Sequence, residues 1–356
     1  MELKFDISKT YALALEGGGA RGAYQIGAYE ALSEAGVKVN AAAGTSVGAL
    51  NGAMIAMNNL SIAKELWHNM RFSRVMDVDD DQMRSLMTGR LLDLNIKNAR
   101  IKIKKVVKEG GFDVTPLKNL IRDTLDCESI RNSDIRLFIC THSITDRKGI
   151  EIEAKNLDDD SLRDMLLASA YFPAFKHEEI GGKMYTDGGI SNVLPLSPLV
   201  SRGYKNIIAI RLYGLGVEKR VRLPKGTTVT EIAPHRDLGN MLNFDTEPCQ
   251  KNYTLGYFDA KRMLYGLYGE NYYIDRTLSE EAAYNILLEV AKSRMKGDYS
   301  LRELHTEVAK FCKESGSRGD YYAVLIAFME KSAERLKINQ MEIYSDISLL
   351  AKIGLK

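Results

Sequence analysis

Residues Val37–Leu60 read VKVNAAAGTSVGALNGAMIAMNNL. The first eight form a short, mostly apolar strand candidate, and SVGALNGAMIAMNNL reads as a helix of small residues. Between them lies GTSVG, a G-x-S-x-G in which Gly44 and Gly48 flank Ser46. A turn this sharp needs glycine, because a Cβ would collide with the adjoining strand or helix, and it projects the serine Oγ from the sheet edge. The same alternation precedes it. TYALALEG (Thr10–Gly17) reads as a buried strand, and ARGAYQIGAYEALSEAG as a helix stopped at Gly36. Strand, helix, strand, helix in the first sixty residues predicts an α/β layer fold with a parallel sheet.

Further along, VTPLKNLIRDTL predicts a helix with Thr115 as N-cap and Pro116 at its first position. IRLFICTHSITDRKGIEIEAKN reads as two strands joined around Asp146–Gly149, and DDDSLRDMLLASAYFPAF as a helix with an acidic cap that ends by Pro173. KMYTDGGI is a short strand entering a glycine turn, and NIIAIRLYG is a buried strand. Gly216–Pro248 carries proline, threonine and charge and reads as loop. From about Lys251 the pattern is helical, with a Ser300/Glu303 capping box and an Asp320 cap before YYAVLIAFMEKSAERL. The expected organisation is a catalytic α/β domain over 1–215 and a mostly helical region over 216–356 packed on it.

The composition, 45% hydrophobic and 27% charged over 356 residues, is that of an ordinary soluble globular chain. A net charge of +2 gives no global drive toward nucleic acid. Cys127, Cys140, Cys249 and Cys312 form no C-x-x-C pair and suit a reduced compartment, so neither a structural metal nor a disulfide framework is expected. No apolar run approaches the roughly 20 residues of a membrane span, and the N-terminus has no secretory pattern. The expected location is cytoplasmic.

Three glycine-flanked motifs carry the chemistry. GGGARG (Gly17–Gly22) satisfies the dinucleotide fingerprint G-x-G-x-x-G, but that reading also needs an acidic residue about 20 positions on. None stands between Glu34 and Glu65. What survives is a helix N-terminus with free backbone N–H groups. GTSVG offers a serine nucleophile, and DGG (Asp187–Gly189) a carboxylate at a strand end. A serine nucleophile needs a base and an oxyanion hole. All three motifs sit at the C-terminal ends of predicted strands, the edge where α/β sites gather.

In order, spacing and neighbours, these motifs resemble the patatin-like phospholipase family, over roughly residues 10–215. LLASAYFPAF before DGG is similar to that family's alanine–serine–proline helix. The resemblance implies a three-layer α/β/α patatin-like fold with a mainly parallel central sheet, plus a helical C-terminal extension. It implies a Ser–Asp dyad: Ser46 attacks an ester carbonyl and Asp187 takes its proton. The N–H groups of Gly17, Gly18 and Gly19 would form the oxyanion hole, with Arg21, Gly22, Gly44, Gly48, Gly188 and Gly189 in support and no cofactor. The expected partner is a lipid or acyl-ester substrate; the oligomeric state is not readable.

Other readings compete. His235 follows Asp187 in the chain order of an α/β-hydrolase triad. The dyad would serve equally for acyl transfer to an acceptor other than water, and the fold for a lipid-binding protein without turnover. Lys97–Lys108 (KNARIKIKKVVK) interleaves basic and apolar residues, which suits peripheral contact with an anionic membrane face or a lid. Asp77–Asp81 lacks the glycine and glutamate of a calcium loop and reads as surface. The tyrosines of Tyr253–Tyr273 read as helix packing, with an acyl-chain pocket as the alternative.

Overall fold

The computed structural model describes residues 1–87, 110–176, 178–295, 299–315 and 320–355. The basic stretch 97–108 and His177 therefore lie outside the described residues, as does the Cys312 side chain. The chain divides into two compact units, Asp6–Ala260 and Met1–Phe5 with Lys261–Lys356.

In the first unit β1 (Thr10–Leu15) pairs in parallel with β2 (Lys38–Thr45), and β2 with β3 (Arg136–Ser143). On its other side β1 pairs in parallel with β6 (Asn206–Ile210), and β6 with β7 (Thr228–Ile232). β4 (Lys148–Glu153) and the two-residue β5 (Tyr185–Thr186) run antiparallel to β3. The sheet order is β4-β3-β2-β1-β6-β7. Residues 11–15 are buried without alternation, as they must be where helices cover both faces of a parallel strand. One face packs Ala12, Ala14, Ala41, Ala43 and Phe138 against Leu194 and Leu199. The opposite face receives α2 (Val47–Ala56), whose Gly52 lies against Leu15, Ala42 and Leu137.

The remaining helices of this unit are α1 (Ala23–Glu34), α3 (Leu60–His68), α4 (Asp80–Met87), α5 (Thr115–Thr124), α6 (Cys127–Asn132), α7 (Asp159–Ser169) and α8 (Ser197–Val200). Asp158 caps α7 by accepting from Ser161 N–H at 2.8 Å. Two details differ from expectation. Val114, not Thr115, is the residue before α5, because Pro116 tolerates either of the first two helical positions. Gly216–Pro248 is not all loop: β7 lies within it, its short TVTEI run pairing with β6. Asp79 and Asp80 act as turn acceptors for Gln82 N–H and for Ser73.

Helix α9 (Thr246–Tyr265) begins in the first unit, so that unit runs past residue 215. A Cβ on Gly27 would stand 1.9 Å from Tyr253 O, and one on Gly256 would stand 1.9 Å from Tyr24 O. α1 and α9 thus cross backbone to backbone through paired glycines. Tyr24 Oη donates to Asp259 at 2.9 Å, Tyr253 Oη to Glu30 at 2.8 Å and Tyr257 Oη to Glu34 at 2.7 Å. These tyrosines pack helices and are not among the residues lining the cavity beside Ser46.

The second unit is mainly helical. Tyr273–Asp275 (β8) pairs in parallel with Ile343–Ser345 (β9), and α10 (Glu280–Arg294), α11 (Leu301–Ser315), α12 (Tyr321–Arg335) and α13 (Asp346–Lys352) complete it. The Ser300/Glu303 box and the Asp320 cap form as expected. Glu330 accepts from the N–H groups of Glu270, Asn271 and Tyr272, and Asp346 from those of Thr277 and Leu278. Its core includes Tyr272, Leu287, Leu325 and Leu349.

Helix propensity alone favours Gly256→Ala by roughly 1 kcal/mol. The glycine crossing reverses that sign: the substitution destabilises by about 1–3 kcal/mol through overpacking, read as a lowered midpoint in urea unfolding.

Candidate active site

β1 and β2 end side by side, with Leu15 opposite Gly44, so the turns that follow them meet. Ser46 stands at φ 56° and ψ −129°, in the left-handed half of the map that a residue with a Cβ rarely occupies. Its neighbours explain why it stays there. Cβ atoms on Gly44 or Gly48 would lie 2.2 Å from Gly48 O or Leu15 O, so only glycine lets α2 turn back this tightly on the strands. Ser46 N–H donates to Ser169 Oγ at 2.9 Å, and the buried Ser169 hydroxyl donates to Cys140 O at 2.6 Å. The side chain is aimed from the N-terminus of α2, where the helix dipole favours negative charge.

Asp187 arrives from the other direction. β5 places Thr186 opposite His142 on β3, and Asp187 N–H donates to Tyr171 O at 2.9 Å. Thr45 Oγ1 donates to Asn192 O at 2.8 Å and ties the end of β2 to the same turn. The Ser46 side chain lies close enough to the Asp187 carboxylate to pull its pKa down, and that carboxylate accepts from Gly189 N–H at 2.8 Å. Burial pushes the Asp187 carboxyl up to about 6, against the opposite pull of those two groups.

The glycine turn lies between them. Gly17, Gly18 and Gly19 line the cavity that Ser46 and Asp187 line. Gly17 N–H already donates to Val193 O at 3.0 Å, so it differs from the expected oxyanion donor. Among the described residues none accepts from Gly18 or Gly19 N–H, which leaves two amides for an incoming oxygen. Arg21 does not face the serine as a free charge. Its guanidinium donates to Gly239 O at 2.8 Å, Leu212 O at 3.1 Å and Tyr213 O at 2.8 Å, which holds the turn to two loops. Gly22 and Gly188 pack where a Cβ would meet Val47 or Cys140 O.

The cavity measures about 470 Å³, within the usual size of a small-ligand site. Leu50, Met54, Trp67, Leu117, Ile121 and Phe172 are among its lining residues, so its walls are overwhelmingly apolar. No described histidine lines it. His235 Nδ1 lies 3.7 Å from Asp259 Oδ1, so its carboxylate partner is not Asp187 and the triad reading lapses. No group of described His, Cys, Asp or Glu residues could hold a metal.

Sequence reasoning missed three supports. Buried Glu16 accepts from Leu212 N–H at 2.6 Å and Tyr213 N–H at 3.1 Å, beside Arg211 at 3.3 Å, and burial raises its carboxyl above the ordinary range. Gln25, Asn51 and Trp67 form a buried relay beneath the turn: Gln25 donates to Glu16 O at 2.8 Å, Asn51 to Gln25 at 2.8 Å, Trp67 to Asn51 at 3.0 Å. Ser169 is the third. The signal was present for Glu16, a charge ending an otherwise apolar strand.

Removing the Ser169 hydroxyl leaves the Ser46 amide without its partner. Ser169→Ala lowers stability by about 1–3 kcal/mol in urea unfolding and slows labelling of Ser46 by a fluorophosphonate.

The profile of patatin-like phospholipases matches residues 13–200, more than half of the chain. Patatin-like phospholipase domain-containing protein 7 of Rattus norvegicus is 29% identical over 199 residues, 56% of this chain and 13% of that protein. Neuropathy target esterase sws of Drosophila melanogaster is 31% identical over 201 residues, 56% of this chain and 12% of that protein. The chain thus spans a small part of these relatives' length. Among solved structures, that of VipD from Legionella pneumophila superposes with a TM-score of 0.46 and 13% identity, covering 97% of this chain and 88% of that one. No helix among the described residues is long and apolar enough to cross a membrane.

Proposed function

The chain belongs to the patatin-like phospholipase family, and on that premise we propose that it hydrolyses fatty-acyl esters of phospholipids or lysophospholipids with Ser46 as nucleophile and Asp187 as base. One observation carries the reading: a serine on a strained turn and a desolvated carboxylate that its side chain influences line one apolar cavity. An ordinary carboxylate is a poor base for a hydroxyl. Raising its pKa toward the working range makes proton transfer effective.

Ser46 Oγ attacks the acyl carbonyl carbon while its proton passes to Asp187. The carbonyl oxygen gains the charge and accepts from Gly18 and Gly19 N–H. As the tetrahedral intermediate collapses, the C–O bond to the alcohol breaks and Asp187 returns the proton to the leaving oxygen. Water then attacks the acyl-Ser46 ester, Asp187 takes a proton from it, and Ser46 leaves with that proton. The acid product departs and the dyad is restored. The apolar walls take the acyl chain, whose burial contributes about 0.8 kcal/mol per methylene.

Ser46→Ala abolishes fluorophosphonate labelling and ester hydrolysis in the folded protein, and labelling retained by that variant sinks the assignment. Asp187→Asn lowers kcat by about 10²–10⁴-fold. Since the base acts only when ionised, kcat/KM of the wild type falls about tenfold per pH unit below about 6. The same shift has a stability sign. Burial disfavours the ionised carboxylate, so Asp187→Asn raises Tm at neutral pH. The gain closes as pH falls from about 6 to the ordinary 3.8, where the wild-type group is protonated in both states. A Tm difference that is flat across that window contradicts the desolvated base.

A further inference from the structure

Among the described residues, each exposed one that lines the cavity lies beside Asp187. Ile190 belongs to the DGG turn, and Leu215, Gly216 and Val217 run past it, with Val217 N–H donating to Gly189 O at 2.8 Å. Pro173 stands just beyond Tyr171, whose carbonyl accepts from Asp187 N–H. The other walls are closed: Met54, Trp67, Met70, Val75 and Leu125 line the cavity and are buried. The cavity is therefore a slot with its mouth at Asp187 and a blind end.

Helix α2 gives the slot its direction. Val47, Leu50, Asn51 and Met54 line it, at the i, i+3, i+4, i+7 spacing of one helix face. Leu117, Leu120, Ile121 and Thr124 repeat that spacing on α5 and supply a second wall. Met57 and Asn58, which would continue the α2 face, are not among the lining residues. The slot thus follows α2 from Ser46 to Met54, about 12 Å of helix rise. Met54 is 6% exposed, and a helical methionine leans back toward the helix N-terminus, which sets its thioether across the end of the slot.

Two measures decide what fits. An extended alkyl chain advances about 1.25 Å per carbon, so the depth along α2 takes about eight to ten carbons. An apolar cavity of about 150 Å³ holds the carbons of benzene, about 25 Å³ each. At that packing the 470 Å³ here, mouth included, hold about nineteen carbons. The volume limits the number of long chains to one, and the depth limits the length that stays straight. A longer tail has to fold back toward the mouth and gains nothing from its added carbons.

We infer that the slot admits a single acyl chain and that Met54 is the residue that sets its length, with selectivity levelling at about ten carbons. The inference rests on the proposed lipid-ester reading for the chain being an acyl group. The slot and its end do not depend on that reading.

The full chain is tested with para-nitrophenyl esters of saturated acids from acetate to myristate, kept below their aggregation limits. For the wild type kcat/KM rises about fourfold per carbon, breaks at about ten carbons and then levels. Met54→Ala removes Cγ, Sδ and Cε and moves the break outward by about two carbons; Met54→Phe moves it inward. Each break is read within one variant's own series, so a change in overall activity or stability does not mimic it, and a variant that misfolds leaves the other to decide. Trp67, the chain's one tryptophan, lines the slot and reports its filling without catalysis. In Ser46→Ala its emission is titrated with primary alkanols from butanol to tetradecanol, whose affinity follows the same slope and the same break. A profile that keeps rising to myristate, or a break that neither Met54 variant moves, overturns the inference. A wild type that hydrolyses no ester, while the alkanol series in Ser46→Ala breaks at a length that Met54→Ala extends, sinks the catalytic reading and leaves the slot standing. Alkanols that leave Trp67 emission unchanged, with no break in hydrolysis, sink the slot.

Discussion

A carboxylate held away from water beside a serine hydroxyl, with no cation to balance it, is the constraint around which the Asp6–Ala260 unit is arranged. Burial alone would protonate Asp187 or draw in solvent. The hydrogen bond from Gly189 N–H and the nearby Ser46 side chain keep it ionisable near neutrality without supplying a compensating charge. Ser46 is strained in turn, at a positive φ. Neither turn is stable by its own geometry. Each persists because a parallel sheet with alanines and leucines on both faces supplies far more burial than these local penalties remove.

The supports of the site share one design. Several buried side chains near it bond to a group on a different element. Ser169 links α7 to the elbow and to β3. Glu16 and Arg21 grip the segment after β6 from the end of β1 and from the glycine turn. Thr45 links β2 to the turn after β5. These segments, distant in sequence, are therefore positioned by side chain to main chain bonds, which leave little freedom in a water-poor environment. The cavity itself can then remain apolar.

Much of this was legible in the sequence, and the parts that were not have a common cause. β1, β2 and β6 declared themselves as short apolar runs, and α7 and α12 by their acidic caps, because those signals are local. GGGARG, GTSVG and DGG could be grouped because glycine at a strand end marks close backbone approach. β7 was hidden: TVTEI carries no apolar run, and the β6 edge it pairs with is not visible from its own residues. The Gly17 amide could not be excluded as a donor, since its acceptor, Val193 O, is set by tertiary structure. Ser169 sat inside a helix that read as ordinary, and nothing in its neighbours disclosed that its hydroxyl reaches back to residue 46.

The crossing of α1 and α9 through Gly27 and Gly256 acts as a ratchet tooth. Asn252 and Tyr253 lie one turn before Gly256 on α9 and Asp259 and Ala260 one turn after it, so sliding that helix by one turn along α1 would bring a side chain against main chain where only backbone fits. Axial position is thus quantised by absence of side chain, and the three tyrosine–carboxylate bonds follow as consequences of that indexing, not as its cause.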